Sequence, residues 1–254
     1  MSKLPEQHQF VDLSDYGRPA ARVIAESLRK SSFTPIHVTL AFIISGLIAI
    51  YCILNDYLVL AAIFLVIKSI LDAADGELAR IKKTPSYSGR YFDSIADIML
   101  NLLIMMAICK TSDASVSNTL IAFVGLQLQG TLYNYYYVIL RNKLGGDTTS
   151  RIIENKAPIA MKGEKQKHVE RLFYIYHLLY SYFDKIIYRL DKNAADGVIF
   201  PNWFMTAIST LGLGFQLLII SMMLILGWKE YIVPFFISYT FLIVLFIWIR
   251  KNWL

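Results

Sequence analysis

Four aspartates stand where the chain would otherwise run apolar on both sides. They fall in Asp72-Ala-Ala-Asp75-Gly-Glu-Leu-Ala-Arg80 and, eight residues further on, in Gly89-Arg-Tyr-Phe-Asp93-Ser-Ile-Ala-Asp97. Ionised groups within membrane-crossing helices are expensive and mark a functional site. Such a set survives only in a fold that lets some carboxylates protonate or places a cation among them. Residues three, four and seven apart share a helix face, so Asp72, Asp75, Gly76 and Ala79 form one stripe. Gly89, Asp93 and Asp97 form a second. Packed as a hairpin, the two helices bring all four carboxylates to one point. An all-oxygen anionic site suits one or two hard divalent ions, Mg2+ or Mn2+ first and Ca2+ as the alternative.

Composition agrees with a membrane setting. The 254 residues are 56% apolar and 17% charged, outside the range of a soluble domain. The polar opening Met-Ser-Lys-Leu-Pro-Glu-Gln-His lacks the apolar core of a signal peptide. Residues 1–34 read as a basic amphipathic segment on the membrane surface, with Arg18, Arg22, Arg29 and Lys30 set among Val23, Ile24 and Leu28. Residues 35–254 read as a membrane domain of six helices. Their expected spans are Pro35 to Leu54, Tyr57 to Ile81, Ser88 to Lys110, Val116 to Leu140, Asn202 to Leu226 and Tyr231 to Ile249. Between the fourth and fifth lies a long basic connection, residues 141–200, whose second half, His168 to Leu190, has the pattern of an interfacial helix. The fold class is therefore an all-α membrane protein.

Lysines and arginines gather in the N-terminal segment, the loop after Arg80, the 141–200 connection and Arg250-Lys251, while the other side holds Lys110 and Lys229. The positive-inside rule puts the basic side, and with it the carboxylates, at the cytoplasm. Lys68, one turn before Asp72, reads either as a counter-ion for the carboxylates or as facing a polar cavity. The amides Gln127, Gln129 and Asn134, on a helix that also holds Tyr133, are costly in lipid and are candidates for an acceptor pocket. Cys52 and Cys109 form no metal or redox spacing.

The pattern Asp-x2-Asp-Gly-x2-Ala-Arg-x8-Gly-x3-Asp-x3-Asp, filled at Asp72, Asp75, Gly76, Ala79, Arg80, Gly89, Asp93 and Asp97, resembles the signature of the CDP-alcohol phosphotransferase family. The resemblance implies that Asp72, Asp75 and Asp93 are chiefly metal ligands. It makes Asp97 both a metal contact and the general base on an acceptor hydroxyl. In the two-ion form, Mg2+ or Mn2+ bridges the four aspartates and a diphosphate. Arg80 suits a phosphate because its planar fork matches phosphate oxygens, and Gly76, Ala79 and Gly89 leave room for a nucleotide. Ser86 occupies a position where relatives contact the CDP group. Thr34-Pro35-Ile36-His37-Val38-Thr39 is similar to the family's Pro-Asn-x-x-Thr entry to the first helix; Ile36 replaces the asparagine, so Thr39 alone carries over.

The activity expected from this resemblance is metal-dependent transfer of phosphatidyl from CDP-diacylglycerol to a small polar alcohol, such as inositol, inositol phosphate or glycerol phosphate, with release of CMP. The alternative is a CDP-choline or CDP-ethanolamine phosphotransferase acting on diacylglycerol. The expected partners are the CDP-alcohol, the acceptor, membrane lipids and a second copy of the chain in a homodimer, with no nucleic acid. The expected location is a bacterial inner membrane, with the active site facing the cytoplasm. An intramembrane prenyltransferase would place its aspartate motifs on more widely separated helices. A divalent-cation transporter would have no need of Gly76, Ala79 and Arg80.

Overall fold

The computed structural model describes Leu4, residues 8–145 and residues 154–254, and every regular element among them is helical. Gly146 and Arg151 of the basic connection lie outside the described residues. The first helix, α1 (Arg18–Leu28), carries Pro19 at its start, where the missing N–H costs no hydrogen bond. It lays Ala21 and Ala25 against Val38, Ala74 and Leu78. Small residues on the buried stripe let α1 approach the membrane helices closely, while Arg22, Glu26 and Arg29 stay exposed.

Pro35 likewise opens α2 (Pro35–Leu54), where the Thr34 N–H donates to His37 Nδ1 at 3.1 Å. A tight turn with Asp56 at positive φ leads into α3 (Leu58–Ile81), and a second turn with Lys83 at positive φ leads to α4 (Tyr87–Thr111). Lys82 Nζ fastens that second turn by donating to the Ser31 carbonyl at 2.8 Å. Ser115 caps α5 (Val116–Lys143), its hydroxyl oxygen accepting from the Asn118 N–H at 3.2 Å. The next helix, α6 (Gln166–Leu190), turns Tyr176, Tyr180 and Ile187 inward onto α4 and α5 and leaves Glu170, Arg171, Tyr182 and Lys185 exposed.

The fifth expected span is interrupted. It divides into α7 (Asn202–Ile208) and α8 (Leu213–Ile225), bent by 54°. Ser209 and Thr210 hydroxyls donate back to the Thr206 and Ala207 carbonyls, each at 2.7 Å, and Gly212 is extended, so the helical ladder stops there. The sixth expected span divides into α9 (Lys229–Tyr239), with Pro234 inside it, and α10 (Phe241–Trp253). Proline removes one ladder hydrogen bond, which makes this stretch easy to interrupt.

Three helical stretches are long and apolar enough to cross a membrane: α2, α4 and the run from α9 through α10. The bent α7–α8 pair adds a fourth when counted as one span. The remaining two of the six expected crossings, α3 and α5, are the polar ones. Lys68, Asp72 and Asp75 interrupt the apolar run of α3, and Gln127, Gln129 and Asn134 that of α5. Lys68 and Gln129 are fully buried and Asp75 and Gln127 nearly so, which turns the polar side of each helix into the bundle.

Two apolar clusters flank the polar middle. One joins Ile53, Leu65, Ile108, Leu126, Leu217 and Phe236; the other joins Tyr136, Leu140, Phe204, Leu211 and Phe246. Close van der Waals packing between helices holds such clusters in lipid, where apolar burial alone gives no advantage. At Gly125 a side-chain carbon would stand 2.2 Å from Thr240 Oγ1, so glycine is what allows α5 to meet the α9–α10 junction.

Candidate active site

A cavity of about 420 Å³ opens among α1, α3, α4, α5, α6 and α8. Its floor is the aspartate hairpin. One carboxylate oxygen from each of Asp72, Asp75 and Asp93 lies within 4.8 Å of the others. Two turns of helix explain the grouping: Asp72 and Asp75 share a face of α3, and Asp93 projects from the facing turn of α4. Asp75 accepts a hydrogen bond from Thr39 Oγ1 at 2.7 Å. Asp93 Oδ1 is buried and has no hydrogen-bond partner among the described residues. Three convergent carboxylates with one orphaned buried oxygen fit a hard divalent cation, which would offset their desolvation and mutual repulsion.

Asp97 lines the same cavity but stands outside that trio. Its Oδ1 accepts from Lys68 Nζ at 2.5 Å, and Lys68 is 0% exposed. The Lys68 ammonium also lies 5.0 Å from the centre of the Phe42 ring. Lys68 is thus the counter-ion of the fourth aspartate, which resolves the two sequence readings of that residue. A buried ammonium and a buried carboxylate each need the other, and removing either leaves an uncompensated charge.

The wall formed by α1 and α3 carries two arginines. Arg80 Nη2 lies 3.1 Å from Glu77 Oε1, and Arg18 Nη1 donates to the same oxygen at 2.8 Å. Arg18 is also paired with Asp15. Arg80 Nε makes no hydrogen bond among the described residues. Gly76 lines the cavity, and a side-chain carbon there would meet the Arg80 guanidinium in ordinary contact at 3.6 Å. Ser14, on the segment before α1, closes this wall against α8: the Gly214 N–H donates to Ser14 Oγ at 3.2 Å. A side-chain carbon on Gly214 would sit 1.9 Å from the Ser14 carbonyl oxygen, so the approach requires glycine.

The opposite wall belongs to α4, α5, α6 and the connection before α6. Arg90 donates to Glu154 through Nη1 at 2.6 Å and Nη2 at 2.7 Å, a bidentate pair, and Tyr91 Oη donates to Glu154 Oε2 at 2.7 Å. The guanidinium lies 4.5 Å from the centre of the Tyr91 ring. Tyr176 and Tyr180 stack at 4.9 Å, and Tyr180 Oη donates to the Ser94 carbonyl at 2.8 Å. Of the amide candidates on α5, Gln127 and Asn134 line the cavity, as does Tyr133. Gln129 turns away to Thr240 Oγ1, at 3.1 Å, and to Gln216.

The remaining sequence candidates sit behind the cavity wall. Ala79 and Gly89 are not among its lining residues, and Thr39 reaches it only through Asp75. Ser86 caps α4, its oxygen accepting from the Gly89 N–H at 2.9 Å while its hydroxyl donates to Glu164 Oε1 at 2.8 Å. Glu164 also accepts from the N–H groups of Ser88 at 2.7 Å, Tyr87 at 3.1 Å and Met161 at 3.1 Å. Burial pushes the Glu164 carboxyl up, but donors from Ser88, Ser86 and Tyr87 outweigh it and hold the group below the usual glutamate range.

Sequence reasoning missed Arg18, Glu77, Arg90 and Glu154. Glu77 had a local signal, three residues before Arg80 on one helix. Arg18 and Glu154 had none, since they reach their partners over 59 and 64 residues of chain.

Comparison with known families gives one result that covers most of this arrangement. The CDP-alcohol phosphatidyltransferase family model matches residues 33–190, which include all four aspartates, Arg80, Arg90 and Glu154. Among curated proteins and solved structures nothing matches. The match takes in more than half of the chain and the whole aspartate hairpin, and on that basis the chain belongs to the CDP-alcohol phosphatidyltransferase family.

Proposed function

We propose that the protein transfers a phosphatidyl group from CDP-diacylglycerol to a small polar alcohol and releases CMP. The observation that carries this reading is the convergence of Asp72, Asp75 and Asp93 beside Arg80, with Asp97 on the same cavity. Asp72, Asp75 and Asp93 would hold a divalent cation, Mg2+ or Mn2+. When bound, such a cation neutralises charge on the diphosphate oxygens.

Arg80 would grip the diphosphate through its fork, with Glu77 fixing the direction of the guanidinium and Arg18 balancing Glu77. Space beside Gly76 would take the nucleotide. Lys68 would hold one oxygen of Asp97, so that the other meets the acceptor hydroxyl. The hydroxyl gives its proton to Asp97 as its oxygen bonds to the lipid-bearing phosphorus. The bond from that phosphorus to the bridging oxygen breaks, the electron pair leaves with that oxygen, and CMP departs. The clustered basic residues favour a cytoplasmic, anionic-lipid face for this chemistry, with six crossings when α3 and α5 are counted as spans.

The test is CMP release by purified protein in lipid nanodiscs with Mg2+ or Mn2+, CDP-diacylglycerol and a panel of alcohols. Release should depend on an acceptor, and Asp97→Asn should lower it by about 10²–10⁴-fold. Retention of more than about a tenth of the rate would remove Asp97 from the role of base.

A further inference from the structure

The aspartate hairpin is built in two rungs. Asp72, Asp75 and Asp93 form the first, with their oxygens converging. Lys68 lies one turn before Asp72 on α3 and Asp97 one turn after Asp93 on α4. In an antiparallel pair these two therefore face each other one turn, about 5.4 Å, beyond the trio. On this second rung Lys68 Nζ donates to Asp97 Oδ1 at 2.5 Å. The family pattern has no place for Lys68; it is what this chain adds to the four aspartates.

A two-ion site sets its divalent ions about 3.5–4 Å apart, and here it would call on all four aspartates. With one ion on the trio, the second would need Asp97. Lys68 takes one oxygen of that carboxylate, and the other serves the acceptor hydroxyl when Asp97 acts as base, so neither is left for a metal. The surroundings of Lys68 also suit an ammonium. Its side chain is 0% exposed, does not line the cavity and lies 5.0 Å from the centre of the fully buried Phe42 ring. A ring face attracts an ammonium, whereas Mg2+ keeps several waters and needs room for them. An ion that displaced Lys68 would leave the ammonium buried without its one hydrogen-bond acceptor among the described residues, and an ion beside it would be repelled at short range. Asp72 and Asp93 lie within electrostatic reach of the same ammonium, so its charge bears on the whole cluster as a metal's would.

We infer that the Lys68 ammonium stands in the place of a second metal ion, and that the site takes one divalent cation per chain, on Asp72, Asp75 and Asp93. This rests on the transferase reading above, in which Asp97 receives the hydroxyl proton, and deepens it by setting the metal count. Lys68 is a positioning residue: it holds Asp97 for the hydroxyl and keeps it out of the metal's ligand set.

The experiment counts Mn2+ on the purified protein by calorimetry, in neutral detergent with CDP-diacylglycerol and no acceptor, and records the electron paramagnetic resonance spectrum of the bound metal. One ion per chain is expected, weakened about a hundredfold or more in Asp93→Asn, with the resolved spectrum of an isolated Mn2+. Two ions weakened by that change, or the broadened spectrum of a coupled pair, would overturn the inference and leave the transferase reading standing. Binding untouched by Asp93→Asn would overturn the inference together with the cation site of that reading. Lys68→Met should admit a second ion to Asp97 and give the coupled spectrum; a folded Lys68→Met protein that still holds one ion would overturn the role of the ammonium. Combining Lys68→Met with Asp97→Asn removes both charges of the pair and so spares folding an unpaired one. That double variant should keep the single ion, and its loss would make Asp97 a ligand and overturn the inference.

Discussion

The two walls of the cavity each present an arginine to the same aspartate floor, and they hold it differently. Arg80 shares one oxygen of Glu77 with Arg18, and its Nε is without a hydrogen bond among the described residues. Arg90 is locked into both oxygens of Glu154 and lies over Tyr91. A guanidinium held at one corner keeps donors for a diphosphate, whereas one held by its whole fork serves the protein. The same residue type is thus a ligand group on the α1–α3 wall and a structural cation on the α4–α6 wall.

A change at the seam between the walls should damage both. Asp93→Asn removes one of three convergent oxygens, so affinity for Mn2+ measured by calorimetry should fall by about a hundredfold or more, and activity with it. Unchanged metal binding would take Asp93 out of the cation site. A change on one wall should be selective. Arg80→Lys loses the fork and should raise KM for the CDP-lipid by roughly tenfold, given about 1.5–3 kcal/mol for hydrogen bonds to charged groups. Arg90→Lys should leave that KM within about threefold while lowering thermal stability, because it spoils a buried bidentate pair. If both variants shift KM alike, the division of the two walls is wrong.

The smallest expected effect lies outside the cavity, at Glu164. Its pKa is lower in the folded protein than in the unfolded chain, so its stabilising contribution is fully present above the unfolded value, about 4.3, and is lost as pH falls through the folded value. The melting temperature of Glu164→Gln should therefore lie below that of the native protein at pH 7, and the gap should close on acidification below that range. A gap that stays constant with pH would mean the Glu164 charge is not what ties the 154–164 segment to α4.

The aspartate hairpin was legible because its information is local. Spacings of three and four residues on two adjacent helices suffice to bring Asp72, Asp75 and Asp93 together and to set Arg80 one turn beyond. Asp97 follows the same spacing, yet its carboxylate goes to Lys68, a partner visible in the sequence but ambiguous there. The polar helices α3 and α5 were also legible as elements, although their charges and amides hide them from a purely apolar criterion. The α4–α6 wall was not legible. Glu154 comes from a non-periodic connection, and nothing in its neighbourhood points to Arg90. The broken α7–α8 span was hidden for a similar reason, since its interruption depends on distant partners: Ser209 Oγ accepts from the Leu13 N–H, and Gly212 packs against Ser14.

The contact between Ser14 and Gly214 spans 200 residues of sequence. A ribosome delivers these residues far apart in time, and Ser14 waits for its partner until α8 has been made and inserted. Through most of synthesis the cavity therefore lacks one side, and the aspartates face an open cleft instead of a shaped one. The cavity gains its last wall only when α8 docks, so its shape is set by one of the later helices to be made.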